Sequence, residues 1–266
     1  MTTRLTVTAA PAAKLMGDVA QVIASLPVSL HHAPEAQGAD LVGIAGNAGW
    51  AAEAIAAIGA GARGVMIIDP VGEDVGALID AAAAARVPVV IDSTWSHNPA
   101  VASGAGAFTE QHSADSFVES RVNAPVGSDI DRVLLNQLAL VRAAVGPVRT
   151  IRFARRNGTG YDALATLASG ASAGLSGILS DSVPVSASLR ILRSETAAEL
   201  TLPGPETATP GQAVVSGPDG ATLLPTLWET AHRAAWRRLH SLVIDGGTSD
   251  DLAGFAEDVA ATRAAS

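Results

Sequence analysis

The sequence predicts an α/β protein: an N-terminal Rossmann-like doubly wound parallel sheet over residues 1–108, followed by an α+β domain over 109–266 with a mostly antiparallel sheet and a final helix. Three observations predict it. Short β-branched runs alternate with Ala-rich helical stretches over the first hundred residues, which is the rhythm of a parallel sheet with helical crossovers. The run Val65 to Ile68 is apolar without interruption, as a strand covered on both faces must be. After Phe108 the rhythm gives way to alternating strands punctuated by Pro203-Gly-Pro, Pro210-Gly and Gly217-Pro-Asp-Gly220.

Element by element, Leu5 to Thr8 reads as the first strand and Ala12 to Ser25 as a helix with Leu15, Val19, Val22 and Ile23 on one face. Strands follow at Val28 to His31 and Asp40 to Ala45, then a helix over Ala48 to Ile58, a strand over Gly64 to Asp69, a helix over Gly72 to Ala85 and a strand over Val87 to Asp92. In the second half, Phe117 to Val122 reads as a strand and Ile130 to Val145 as a helix with Val133, Leu134, Leu138 and Val141 in register. Strands are expected at Val148 to Ala154, Val185 to Leu192 and Ala198 to Leu202. The small-residue region Ala163 to Leu179 has no decisive period. Helices over Leu223 to Leu239 and Asp250 to Ala264 close the chain, with Ser249 or Asp250 as the last N-cap.

Composition narrows the chemistry. The chain has 266 residues, 48% of them hydrophobic, enough for a substantial packed core. A net charge of -9 repels phosphate backbones, and the alternating Arg149, Arg152, Arg155 and Arg156 read as a solvated strand face, so no nucleic-acid partner is expected. The absence of cysteine removes disulfides, thiolate nucleophiles and Cys-ligated zinc. No apolar run reaches bilayer length and the first residues lack an apolar h-region, so the expectation is a cytoplasmic protein with no membrane partner. Lys14 is the single lysine among 17 Lys and Arg, a bias that suggests a GC-rich bacterial genome.

The run Ala39-Asp-Leu-Val-Gly-Ile-Ala-Gly-Asn47, then Gly64-Val-Met-Ile-Ile-Asp-Pro70, then Val87-Pro-Val-Val-Ile-Asp92 and His97-Asn-Pro99 resembles the Gfo/Idh/MocA oxidoreductases in order and spacing. The tail from Leu242 to Arg263 is similar to that family's closing strand, small loop and acidic helix, and the chain reads as a shortened, degenerate member. The resemblance implies NAD(P), a sugar, inositol or polyol substrate, and oligomers formed through the C-terminal sheet. Departures fall on the positions that carry that activity. Where family members have Gly-x-Gly-x-x-Gly, glycines that let a diphosphate approach the backbone, this chain has Ala9-Ala-Pro-Ala-Ala-Lys14. His31-His32 replaces the ribose-binding acid, and Trp50 stands where a histidine often follows the third strand. Asp69 replaces the lysine of the Glu-Lys-Pro motif, Asn136 the acid-base histidine, and Asp131 keeps the place of the motif's aspartate.

These losses imply a homologue without its own NAD(P) site, acting as a non-catalytic or assisting subunit paired with itself or with an intact paralogue; no cofactor is then expected. Two alternatives stay open: an NAD(P)-dependent oxidoreductase of a sugar, inositol or polyol with an altered cofactor mode, and a cofactor-independent lyase or isomerase of a sugar-derived ligand relying on Asp69, Asp92 and His97. Residues expected to line a crevice at the carboxyl edge of the sheet are His31, His32, Asn47, Trp50, Asp69, Asp92, Thr94, Trp95 and His97. No recognised ligand spacing among them supports a metal. His232, His240, Trp228 and Trp236 on the penultimate helix read as core or interface anchors rather than a ligand platform. Asn157 to Asp162 reads as a loop joining strand to helix.

Overall fold

The computed structural model describes residues 4–33, 38–207 and 209–265. The chain divides into two compact units, one of residues 1–93 with 232–256 and the other of residues 94–231 with 257–266. Whereas the sequence pattern changes near 108, the packing changes at 94, and the first unit takes back a C-terminal segment.

The first unit begins with β1 (Leu5–Ala9), α1 (Pro11–Met16), α2 (Val19–Ser25), β2 (Leu30–His32) and β3 (Leu41–Ala45), and continues with α3 (Trp50–Gly59), β4 (Gly64–Ile68), α4 (Gly76–Ala85) and β5 (Val89–Asp92). The five strands are all parallel, in the order β2-β1-β3-β4-β5. Every residue of β4 is buried, as its unbroken apolar run requires. The helix read over 12–25 is two helices. Asp18 adopts the left-handed region at φ 46, and a Cβ on Gly17 would lie 3.0 Å from Ile68, so the break lets the backbone settle close onto the sheet.

In the second unit come α5 (Pro99–Gln111), β6 (Phe117–Ala124), α6 (Ile130–Val145), β7 (Val148–Asn157), β8 (Gly160–Leu167), β9 (Ser172–Leu179), β10 (Ser186–Leu192), β11 (Ala197–Pro203), β12 (Gln212–Gly217) and β13 (Gly220–Leu223). They form an eight-stranded sheet, β13-β12-β11-β10-β6-β9-β8-β7, antiparallel except for the β6–β9 pair. The region 163–179 resolves into β8 and β9, and Asn157 to Asp162 is the tight turn between β7 and β8 rather than a strand-to-helix loop. The helix α5 had no strong period because Ser103, Gly104 and Gly106 dilute it; Asn98 caps it by accepting from the Ala100 amide at 3.0 Å, and Pro99 occupies the first position. Asp129 caps α6 through the amides of Asp131 and Arg132, and Gly146 at φ 99 ends it.

One face of this sheet buries Val118, Val122, Leu175, Leu189, Ile191, Leu200 and Leu202 in a core shared with Leu134, Leu138 and Val141 of α6. The opposite face carries Glu119, Arg190 and Glu199 as a charged row, with Arg190 paired to both carboxylates.

The chain ends with α7 (Ala231–Asp245) and α8 (Asp251–Ala264). The first of these begins eight residues later than the period suggests, Pro225 and the residues up to Thr230 forming no regular element. It adds Ala235, Trp236 and Leu239 to the core of the parallel sheet, beside Val7, Ala9, Leu41 and Met66. Trp228 lies outside the helix and is 77% exposed, so the two tryptophans do not share a stripe. No helix among the described residues is long and apolar enough to cross a membrane.

Candidate functional site

Parallel sheets with helices on both faces bind ligands where the strand order reverses, beyond the carboxyl ends of the strands. Here the reversal lies between β1 and β3. A groove of about 750 Å³ runs beside it, lined by Thr8, Ala9, Ala10, Pro11, Val42 and Glu53 and, toward the carboxyl end of α3, by Ala57, Ala60 and Ala62. That volume falls within the roughly 300–1,000 Å³ of small-molecule sites. The walls on the β1 side are methyl groups and a proline ring.

The turn from β1 into α1 has no glycine. Ala10 is the N-cap in an extended conformation with no side-chain bond, and Pro11 has no amide to offer. The first unpaired helix amides are those of Ala12 and Ala13, since Lys14 already donates to Ala10. The turn therefore meets the groove with small side chains and a proline ring. The amino end of α3 is already neutralised: the carboxylate of Glu73 accepts from the amides of Gly49 and Ala51.

At the other strand ends, the sequence-derived site residues separate. Trp50 is fully buried, its indole N–H donating to the Val71 carbonyl at 3.0 Å and its ring meeting Phe255 edge-on at 5.5 Å. It is a packing residue. His31 and His32 end β2 beside Thr6 and Val7; His31 is half-buried and His32 exposed. Asn47 is exposed in the β3–α3 turn. Asp69 follows β4 with φ 47, a conformation that short polar side chains tolerate. Gly46 is required beside it, because a Cβ there would lie 2.2 Å from the Pro70 backbone.

The second unit holds the others. Asn136 is buried in α6 and its side-chain oxygen accepts from the Thr94 amide at 3.0 Å, an anchoring role. Asp131 lies on the surface in an ion pair with Arg156. Trp95 is 3% exposed core, and His97 is half-buried in the turn before α5. A separate pocket of about 250 Å³ is lined by Thr94, Asn98, Thr207, Thr209, Trp228 and Glu229, an indole face among hydroxyls and a carboxylate.

Sequence reading missed the partner of Asp92. Asp92 is fully buried at the end of β5, and its Oδ2 lies 2.7 Å from Nδ1 of His232 on α7. Burial works to strip the proton from His232, but the facing Asp92 carboxylate, its hydrogen bond, and the charges of Asp18 and Asp69 outweigh it and push the pKa up to about 9. No signal in the local pattern could have joined residues 140 positions apart. Among the described residues, no group of three or more His, Asp or Glu could hold a metal ion.

No family model and no curated relative matches the chain. Solved structures do match it. A UDP-N-acetylglucosamine 3-dehydrogenase from Acidithiobacillus ferrooxidans superposes with a TM-score of 0.77 at 14% identity, covering 99% of this chain and 97% of that one. An oxidoreductase from Agrobacterium radiobacter, solved with NAD+, L-tartaric acid and magnesium, gives 0.72 at 12%, covering 99% and 95%. A 3-ketoreductase from Actinomadura kijaniata, solved with TDP-benzene and NADP, gives 0.72 at 13%, covering 98% and 96%. The fold is that of the Gfo/Idh/MocA-type oxidoreductases, as the sequence resemblance implied. The expectation of no cofactor is corrected by the same structures: proteins with this fold are solved with NAD+ or NADP bound, which points to a nicotinamide cofactor.

Proposed function

We propose that this chain is a nicotinamide-dinucleotide-dependent oxidoreductase of a sugar or related polyol, holding its cofactor without a glycine-type diphosphate turn. The observation that carries the reading is the groove at the β1/β3 reversal, present in a chain that shares its fold from end to end with sugar oxidoreductases. Thr8, Ala9, Ala10 and Val42 would hold the adenosine half against their small apolar surface, and Glu53 would accept from ribose hydroxyls. A carboxylate there repels a 2′-phosphate, which favours NAD over NADP. When bound, the dinucleotide supplies or accepts a hydride; the chain's own residues bind, orient and move the proton.

The substrate class has its own support in the second unit. An exposed indole face at Trp228, with Thr207, Thr209, Asn98 and Glu229 around it, matches a sugar ring, whose C–H face stacks on aromatics and whose hydroxyls need donors and acceptors.

Titration of the purified protein with NADH and NADPH, read by nucleotide fluorescence, tests the reading. Saturable NADH binding with weaker NADPH binding is expected. Ala10 is exposed, so Ala10→Asp leaves the fold intact and places a negative charge in the groove; at least a tenfold loss of NADH affinity is expected. Absence of binding by the unaltered protein to both nucleotides overturns the proposal.

A further inference from the structure

The replacement of the family's lysine by Asp69 and of its histidine by Asn136 leaves the proton work of a dehydrogenase without an owner at those positions. On the reading just given, we propose that His232 is the acid-base catalytic residue, exchanging a proton between its Nε2 and the substrate oxygen, with Asp92 as the positioning residue that fixes the ring through Nδ1. The inference rests on that reading and assigns a role to a residue that no motif of the fold supplies.

Placement is the first argument. Asp92 closes β5 at the carboxyl edge of the parallel sheet, the edge at which open α/β sheets carry their ligands. His232 reaches it from the first turn of α7, and Asp69, at the end of the neighbouring β4, adds its charge to the same imidazole. The second argument is geometric. A carboxylate 2.7 Å from Nδ1 sets the tautomer and ring plane, and Nε2 is not committed to it. The third is that the pair is a poor clamp. The second oxygen of Asp92 is buried without a hydrogen-bond partner among the described residues, and a buried ion pair whose only duty is to fasten a helix is commonly matched or bettered by apolar packing. Besides the Asp92 carboxylate in contact with it, the charges that act on His232 are those of Asp69 after β4 and Asp18 between α1 and α2, all acidic.

The step balances simply. In reduction, the carbonyl carbon gains the hydride and the carbonyl oxygen takes the proton from Nε2–H, leaving neutral imidazole. In oxidation, Nε2 takes the hydroxyl proton as the carbon gives up its hydride. Held protonated at neutral pH, His232 favours carbonyl reduction, and the oxidative direction gains as the pH approaches 9.

Two measurements test this on the full chain. In the protein alone, histidine 15N spectra should show one imidazole, absent from His232→Gln, that titrates well above the ordinary range and falls back toward it in Asp92→Asn. With cofactor and a sugar substrate, His232→Gln should lower kcat by at least a hundredfold with nucleotide affinity unchanged, and Asp92→Asn should move the alkaline limb of the pH profile downward by a unit or more. If His232→Gln keeps kcat within twofold, or if either variant changes only the melting temperature, His232 is a structural clamp and the proposal falls. If the unaltered protein binds NADH but turns over no sugar, the oxidoreductase reading fails. An ordinary His232 titration, unmoved by Asp92→Asn, defeats the dyad whatever the activity.

Discussion

The phenol of Tyr161 donates to Oε1 of Gln137 across 2.6 Å in the interior of the second unit, where both side chains are almost wholly buried. Nε2 of the same glutamine donates to Ser120 Oγ at 3.0 Å and to the Ser176 carbonyl at 3.3 Å, so β6, α6, β8 and β9 meet at one amide. Removing the hydroxyl with Tyr161→Phe strands a buried acceptor and should cost about 1–3 kcal/mol in chemical denaturation. The double variant Tyr161→Phe with Gln137→Leu should cost less than the sum of the singles, and an additive result would mean the bond is not made.

Gly177 leaves room for that tyrosine, since a Cβ there would lie 2.3 Å from its ring. Gly177→Ala should therefore lower the melting temperature clearly, by an amount comparable to the roughly 1–3 kcal/mol of overpacking. The loss should shrink in a Tyr161→Leu background.

In the first unit, Asp40 fastens the start of β3 to β1. Its Oδ2 accepts from the Thr6 amide at 2.9 Å and the Thr6 hydroxyl at 2.7 Å, and its Oδ1 pairs with Arg63 at 3.0 Å. Burial opposes its charge, but the Thr6 and Arg63 contacts outweigh that and hold its pKa below the usual carboxylate range. A lowered folded pKa contributes stability that is present above the unfolded value, near 3.8, and lost as the pH falls through the folded one. Asp40→Asn should flatten the acid limb of the stability curve below that value, as read from melting temperature against pH.

Asp258 runs the other way. Burial raises its pKa to about 6, against the pull of Arg142 at 3.1 Å. Because the folded pKa lies above the unfolded value of 3.8, its contribution is full below that pH and is lost as the pH rises to about 6. Asp258→Asn should remove this decline, so that the variant and the parent diverge between those two values in thermal melts.

Trp228 tests the substrate pocket apart from folding. Its 77% exposure means that Trp228→Ala should leave the melting temperature unchanged while raising KM for a sugar substrate by about tenfold or more, the order of a lost aromatic contact. Equal KM values would remove the pocket from the substrate site.

Much of the architecture was legible because hydrophobic period reports which face of an element is covered. The uninterrupted apolar run of β4 required cover on both sides, and the apolar period of α6 placed a helix where the structure has one, although Val133 to Val141 are all buried and the helix is covered on more than the one face its period marks. The region 163–179 was illegible for a related reason: its alanines and glycines carry too little contrast between faces, although Ala163, Ala165, Ala173 and Leu175 do point into the core. Trp50 was misplaced because position in the chain put it at the carboxyl edge, whereas its volume and apolar ring drove it under Val71 and Phe255.

The amino-acid pattern by itself determined the parallel sheet, its helices, the strand-rich second half and a glycine-free turn after β1, since each depends on neighbours within a few residues. Only the tertiary structure decided that α7 returns to the first sheet, that Trp236 fills its core, and that His232 meets Asp92. Those meetings join segments far apart in the chain, and nothing in a local period specifies which distant face will cover an exposed sheet until the whole core is packed.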